Sequence, residues 1–359
     1  MNNNNTPIQE NQPAQRSGLP KEVVLAQLRA RLTQSSHPTI KQEYGSPRRG
    51  IETGLDEAFV IDRATYEALI KADPNSASIL KPYANASEIA RWRAEPHQLW
   101  LINTVPGTVN IDAYPAIKAH LTQFKGQLEK RKTAQQWFEL AKADHLDAKH
   151  IADLKIVFRD SSSWLGGFTL DNTGAYYASS SFYLPNGDYY VSGLLNSKLY
   201  WFLLDGMSPA NHEGVIALQP EHVGSLPVPR MIDVDLFSLV GCYSDFCHRT
   251  VKERHEFYDH VSQEIATHLA PGRSLAELSP KLRSWHILTI DSLRDEVKRH
   301  LGRDMSEETV KIWDDFLGEA KFQFNQMNIE ISESEYKLDR VVCQVFELTE
   351  EEIEYLEKY

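Results

Sequence analysis

Gly50–Asp62 reads GIETGLDEAFVID. Two glycines set a turn, and Ala58, Val60 and Asp62 then alternate with Phe59 and Ile61, the period-two pattern of a strand. The turn is entered from Arg48 and Arg49. A cation pair followed at once by a tight turn and a strand suits a rigid sheet that displays charge from its edge. On that reading the turn sets the direction of the strand, and the strand holds its side chains in place.

Upstream, Leu19–Gln34 places Val24, Leu25, Leu28 and Leu32 at helical spacing behind Pro20, which predicts one amphipathic helix. Ser35–Pro47 reads as a loop, and the polar stretch 1–18 as a disordered tail. Downstream the texture is mixed. Arg63–Ala72 is a short helix with Asp62 available as N-cap. Leu99–Val105 and Leu154–Asp160 are strand-like runs, and FTLD and YYASSSFYL read as further strands. Tyr114–Lys132 is a helix with Ile117, Leu121, Phe124 and Leu128 on one face. Tyr189–Met207 is a strand end running into a buried helix. GSLPVPRM (Gly224–Met231) forces an extended segment and marks a boundary. Beyond it Val234–Leu269, Ser284–Gly302 and Glu308–Ile331 are helical, and Ser332 with Glu335 and Thr349 with Glu352 fit the capping box. The expected class is α+β: a helix and linker over 19–43, a mixed α/β domain over 44–230, and a helical domain over 231–359.

Composition narrows the chemistry. The 359 residues suit two domains, and no run reaches the roughly 18 apolar residues of a membrane span. The start lacks a signal-peptide core, so the cytoplasm is the expected location. Three cysteines are too few for a disulfide framework. Cys242 and Cys247 precede His248, but no second ligand pair follows, so buried free thiols are expected rather than zinc. Net charge is −12, unevenly spread: residues 241–359 carry 15 basic and 25 acidic groups, whereas 41–160 carry 17 and 16. The front half can present a basic face. The back third cannot hold DNA by bulk charge and suits a protein partner.

No P-loop, dinucleotide fingerprint, nucleophile elbow or H-E-x-x-H is present, and neither is the glycine-rich loop or the Asn/Asp-Pro-Pro-aromatic tetrad of an adenine methyltransferase. Glu319–Lys321 with Asp314 and Asp315 has the letters of a magnesium nuclease but lies in a helical pattern, where the acids form a solvated face. What remains are cations at element ends: Arg48 and Arg49 with Thr53 in the following turn, Lys81, Arg91 and Arg93 about Trp92, Lys130, Arg131 and Lys132, and Lys155 and Arg159 flanking a strand. Arginine forks onto phosphates or guanine edges, and lysine supplies phosphate contacts. Trp92 itself reads as core.

The order of these pieces resembles a known family. GIETGLDEAFVID, ILKPYANASEIARWR, LWLINTV, YPAIKAHLTQFKGQLEKRK with Trp137, LKIVFRD, GLLNSKLYWFLL and LPVP follow one another as in the TaqI-like specificity domain, over residues 44–230. That domain is the target-recognition half of adenine-specific DNA methyltransferases, including type IIG restriction–modification enzymes and phage-defence relatives. Leu338–Leu356 resembles their tail. Asn85 and Ala86 depart from a position where the family often has glycine, and the methyltransferase itself is missing. The resemblance implies a domain that grips double-stranded DNA, with the eleven residues from Arg48 to Arg159 as candidate contacts and Asn196–Lys198 as a helix-start motif. It implies no cofactor in this chain, S-adenosylmethionine in a partner methyltransferase, and docking of that partner or of a restriction subunit through 231–359. The expected function is a sequence-recognition subunit with no catalysis of its own. The alternative is an interaction or regulatory remnant that no longer binds DNA.

Overall fold

The computed structural model describes residues 18–94, 99–132, 136–142, 151–163, 167–208, 210–211, 214–230, 233–272 and 274–359. The expected tail falls outside them except for Gly18. The strands are β1 (Arg48–Arg49), β2 (Val60–Asp62), β3 (Leu80–Ala84), β4 (Ile89–Ala90), β5 (Arg93–Ala94), β6 (Leu99–Ile102), β7 (Lys155–Arg159), β8 (Ser161–Ser162), β9 (Phe168–Asp171), β10 (Tyr176–Tyr177), β11 (Ser181–Leu184) and β12 (Ile216–Ala217). Helices of five residues or more are α1 (Lys21–Thr33), α2 (Ile40–Tyr44), α3 (Arg63–Ala72), α4 (Pro115–Thr122), α5 (Tyr189–Leu195), α6 (Lys198–Met207), α7 (Pro220–Ser225), α8 (Val234–Leu269), α9 (Ile290–Leu301), α10 (Glu307–Val345) and α11 (Glu350–Glu357).

Lys155–Phe158 of β7 is buried at four successive positions, three of them apolar, the signature of a strand buried on both faces. It sits inside an antiparallel sheet of order β1-β11-β7-β9. One face carries Ile156, Phe158, Phe168, Phe182 and Leu184 into a core built with α1, α5, α6, the base of α8 and the end of α10. The other face carries Val157 and Tyr183 into a second core with the sheet β10-β3-β6-β2. The first sheet is therefore the middle layer of the molecule.

GIETG links those layers. A Cβ on Gly50 would lie 2.2 Å from the carbonyl oxygen of Ala178, so only glycine lets the two backbones pass. Gly54 has φ of +78° and is covered by Arg131, which again excludes a side chain. The strand expected from Ala58 starts later: Asp56–Phe59 makes one helical turn first, entered through a turn in which Thr53 Oγ1 accepts from the Leu55 N–H at 3.2 Å and donates to Asp56. Asp62 caps α3 by accepting from the Thr65 N–H at 2.8 Å, as expected. The expected helix Tyr114–Lys132 breaks at Gln123 and Phe124. The expected run over Tyr189–Met207 is two helices, capped by Asp188 and Ser197.

The cores do not follow the proline boundary. Val240, Cys247, Val251, Leu338, Val342, Ile353 and Leu356 share the first core with Leu25, Leu28 and Phe158. The helix expected as part of a linker is core too, with Arg31 of α1 paired to Glu352 of α11 at 2.9 Å. A third core, Val261–Ala320 in sequence and centred on Trp285, lies at the far end of the α8–α10 hairpin. The helices of that hairpin, 36 and 39 residues long, extend about 54 and 58 Å at 1.5 Å per residue. Ser332 and Glu335 do not cap a helix; they lie within α10. Thr349 and Glu352 do form a capping box, on α11.

Candidate nucleic-acid interface

The eleven candidates do not form one surface. Neighbouring strand residues point to opposite faces, so Arg48 and Arg49 diverge. Arg49 lies over the Phe182 ring at 4.7 Å and donates to the Ser179 carbonyl at 2.7 Å. Arg159 is exposed at the end of β7, Lys81 is half-buried on β3 in the other sheet, and Lys130 and Lys132 are exposed after the turn Lys125–Leu128.

Thr53, Arg131 and Lys155 are bonded into the frame. Thr53 is 2% exposed and closes the turn onto Asp56. Arg131 donates to four carbonyls, those of Leu128, Thr53, Trp137 and Glu139, at 2.8–3.1 Å. Burial pulls its pKa below the ordinary arginine value. Lys155 is fully buried and bonded to Asp171 at 2.5 Å and to the Ile151 carbonyl at 2.9 Å. No phosphate can reach it while the core is closed.

Arg91, Trp92 and Arg93 form the tip of the β4–β5 hairpin, and here the chain joins its own helices. Trp92 is 2% exposed with φ of +65°, a left-handed conformation that a bulky residue holds only under strain. Its indole N–H donates to Glu335 Oε1 of α10 at 2.7 Å, and the Arg91 guanidinium pairs with the same oxygen at 2.7 Å. Arg91 also donates to the Asn196 carbonyl at 2.7 Å. His248 Nδ1 of α8 donates to the Trp92 carbonyl at 2.8 Å, which fixes the tautomer, so Nε2 accepts from Ser192 at 3.0 Å. Burial drives the His248 pKa down to about 4, so the ring is neutral at pH 7. Arg91 thus serves as a clasp rather than a free cation. Asn196 and Ser197 are buried at the start of α6, Asn196 donating to the Phe168 carbonyl at 3.0 Å, in keeping with a packing motif.

The clasp sets Arg93 in the lining of an open cleft of about 460 Å³. Asn172 and Thr173 line it just after β9, Tyr189 lines it from the start of α5, and Arg249 and Lys252 line it from α8. An adjoining cleft of about 440 Å³ shares Trp92 and contains Arg254, Asn328 and Glu335. Arg254 donates to Asn328 at 2.7 Å. Burial, and then the nearby Arg93 guanidinium, lower its pKa. Arg249, Lys252 and Arg254 were hidden by the acidity of the back third. The local run HRTVKERH (His248–His255), with Glu253 as its single acid, was the available signal. Among the described residues no cluster of three or more His, Cys, Asp or Glu could hold a metal ion. No described helix is long and apolar enough to cross a membrane. Asp314, Asp315 and Glu319 are exposed on α10.

Residues 238–342, the α8–α10 hairpin with its tip, match a domain family of unknown function, DUF8810. No curated protein matches the chain. Solved structures that resemble it include two restriction enzymes. The type IIL restriction–modification enzyme MmeI in complex with DNA does so at 13% identity and a TM-score of 0.44, over 81% of this chain and 37% of that one. The type IIG restriction endonuclease BpuSI does so at 11% identity and a TM-score of 0.38, over 85% of this chain and 34% of that one. The chain spans about a third of the length of either enzyme.

Proposed function

We propose that this chain is a DNA-recognition module of a restriction–modification or related phage-defence system, without catalysis of its own. A separate methyltransferase subunit would bring S-adenosylmethionine and extrude the target adenine. One observation carries the reading: a hairpin fastened to α10 and to the start of α6 by partly buried bonds brings Arg93 into the lining of an open cleft that also holds Arg249 and Lys252. A preorganised cation loses little freedom on meeting a phosphate or a base edge. The ordered motifs over 44–230 supply the family resemblance that makes duplex DNA the ligand.

The methyltransferase or restriction subunit would dock on the helical hairpin. In support, Phe322, Ile329 and Tyr336 follow one another at seven-residue intervals on the outward face of α10, 68%, 49% and 57% exposed. The test is fluorescence anisotropy with a randomised 30-bp duplex, with and without a co-expressed methyltransferase. Binding should fall by roughly 10³-fold or more between 50 and 200 mM salt if six phosphates are touched. A salt-independent signal, or none, refutes the reading and favours the remnant with a lapsed DNA face.

A further inference from the structure

We propose that the basic run of α8 is the second jaw of the DNA interface: Arg249, Lys252 and Arg254 hold phosphodiester groups opposite Arg93. This rests on the DNA-recognition reading. It assigns DNA contact to the acidic helical part, which bulk charge argued against.

The geometry has three parts. Arg249 and Lys252 lie one helical turn apart and open onto the cleft that Arg93 enters from the sheet side. Arg254 opens onto the adjoining cleft on the other side of Trp92, close enough to Arg93 for the two guanidinium groups to oppose each other's charge. Two described carboxylates that line the clefts are already engaged. Asp171, at the floor of the first cleft, is bonded to Lys155 and Thr173, and Glu335 in the second to Arg91 and Trp92.

Two cations do have acidic neighbours on their own helix. Arg249 meets Asp245 at 3.0 Å and Lys252 meets Glu256 at 3.8 Å, with 60% and 67% of the cationic side chains exposed. Exposed i,i+4 pairs of this kind contribute about 0.3–0.5 kcal/mol. A phosphate dislodges such partners at small cost. The jaw reads charge and spacing, not sequence, because lysine and singly engaged arginine give phosphate contacts without base information. Base reading stays with the sheet side.

The experiment is a salt titration of a 30-bp duplex by anisotropy. It compares the wild-type chain, the triple variant Arg249→Gln/Lys252→Gln/Arg254→Gln, and Lys281→Gln/Arg283→Gln as a control on the same helical part. Far-UV circular dichroism and a urea midpoint confirm folding. Each lost phosphate contact lowers the slope of log K against log salt by about 0.9, so the triple variant should lose between two and three units of slope, and the control none. Wild-type binding with an unchanged slope in a folded triple variant overturns the jaw and leaves the recognition reading standing. Absence of salt-dependent binding by the wild type overturns both. If the triple variant fails to fold, Lys252→Gln alone, exposed and outside the core, should still lower the slope by about one unit; an unchanged slope then overturns the jaw.

Discussion

Replacing Glu335 with alanine should loosen the joint between the hairpin tip and the helices, and the size of the effect follows from its two partners. Trp92 and Arg91 both meet Oε1 at 2.7 Å, in a place where the Arg91 and Glu335 side chains are 18% and 22% exposed. An orphaned buried N–H costs about 1–3 kcal/mol. A fully buried cation left without its partner costs about 3–5 kcal/mol, and residual solvent at Arg91 reduces that share by about half, to roughly 2 kcal/mol. Glu335→Ala should therefore destabilise the protein by about 4 kcal/mol. Glu335→Gln keeps an oxygen for both donors and loses only the charge, so it should cost about 1–2 kcal/mol. The assay is urea unfolding followed by far-UV circular dichroism, with Trp92→Phe closing a double-mutant cycle. A loss below 1 kcal/mol in Glu335→Ala, or equal losses in the two variants, refutes this account of the clasp.

Lys155 and Asp171 offer a second test. Lys155→Ala leaves a buried carboxylate and should cost roughly 3–5 kcal/mol, whereas Lys155→Met/Asp171→Leu should be within about 1 kcal/mol of wild type or more stable; equal losses in the two would be the contrary result. A third concerns pH. His248 binds its proton less tightly folded, so its contribution is full above 6.5 and is lost as pH falls toward about 4. Burial raises the Asp339 pKa to about 6, so its contribution is full below 3.8 and is lost as pH rises through about 6. The two trends oppose each other between pH 4 and 6. Asp339→Asn should unmask the histidine: relative to wild type, the variant should gain about 3 kcal/mol from pH 4 to pH 7. Parallel pH curves for variant and wild type would contradict the opposition.

Much of the frame could be read from local chemistry. Asp62 and Thr349 cap as their spacing foretells, because a cap needs only its own turn. The strands Lys155–Arg159 and Phe168–Asp171 follow from short segments rich in β-branched and aromatic residues. Ser332 and Glu335 misled because the same letters serve a distant partner: Glu335 bonds across 243 residues to Trp92, and no local pattern encodes that. The site was less legible than the fold. Arg48 and Arg49 are adjacent in sequence and divergent in space, since strand geometry separates neighbours. Arg131 and Lys155 look like surface cations until burial shows what they bond. The cations of α8 were masked by the charge of the whole segment in which they sit.

The α8–α10 hairpin has two cores and a gap between them. The first core ends at Val251 and Ile331, the third begins at Val261 and Ala320, and no residue described as buried lies between on either helix. Arg254 and Asn328 bridge that interval through a polar bond, and Phe257, Tyr258 and Phe324 there are only partly buried. Bending stiffness in a helix pair comes from interlocked side chains, so flexure should concentrate at this one height while each end moves as a solid block. Amide exchange should find the same joint, fast at mid-hairpin between two slow ends.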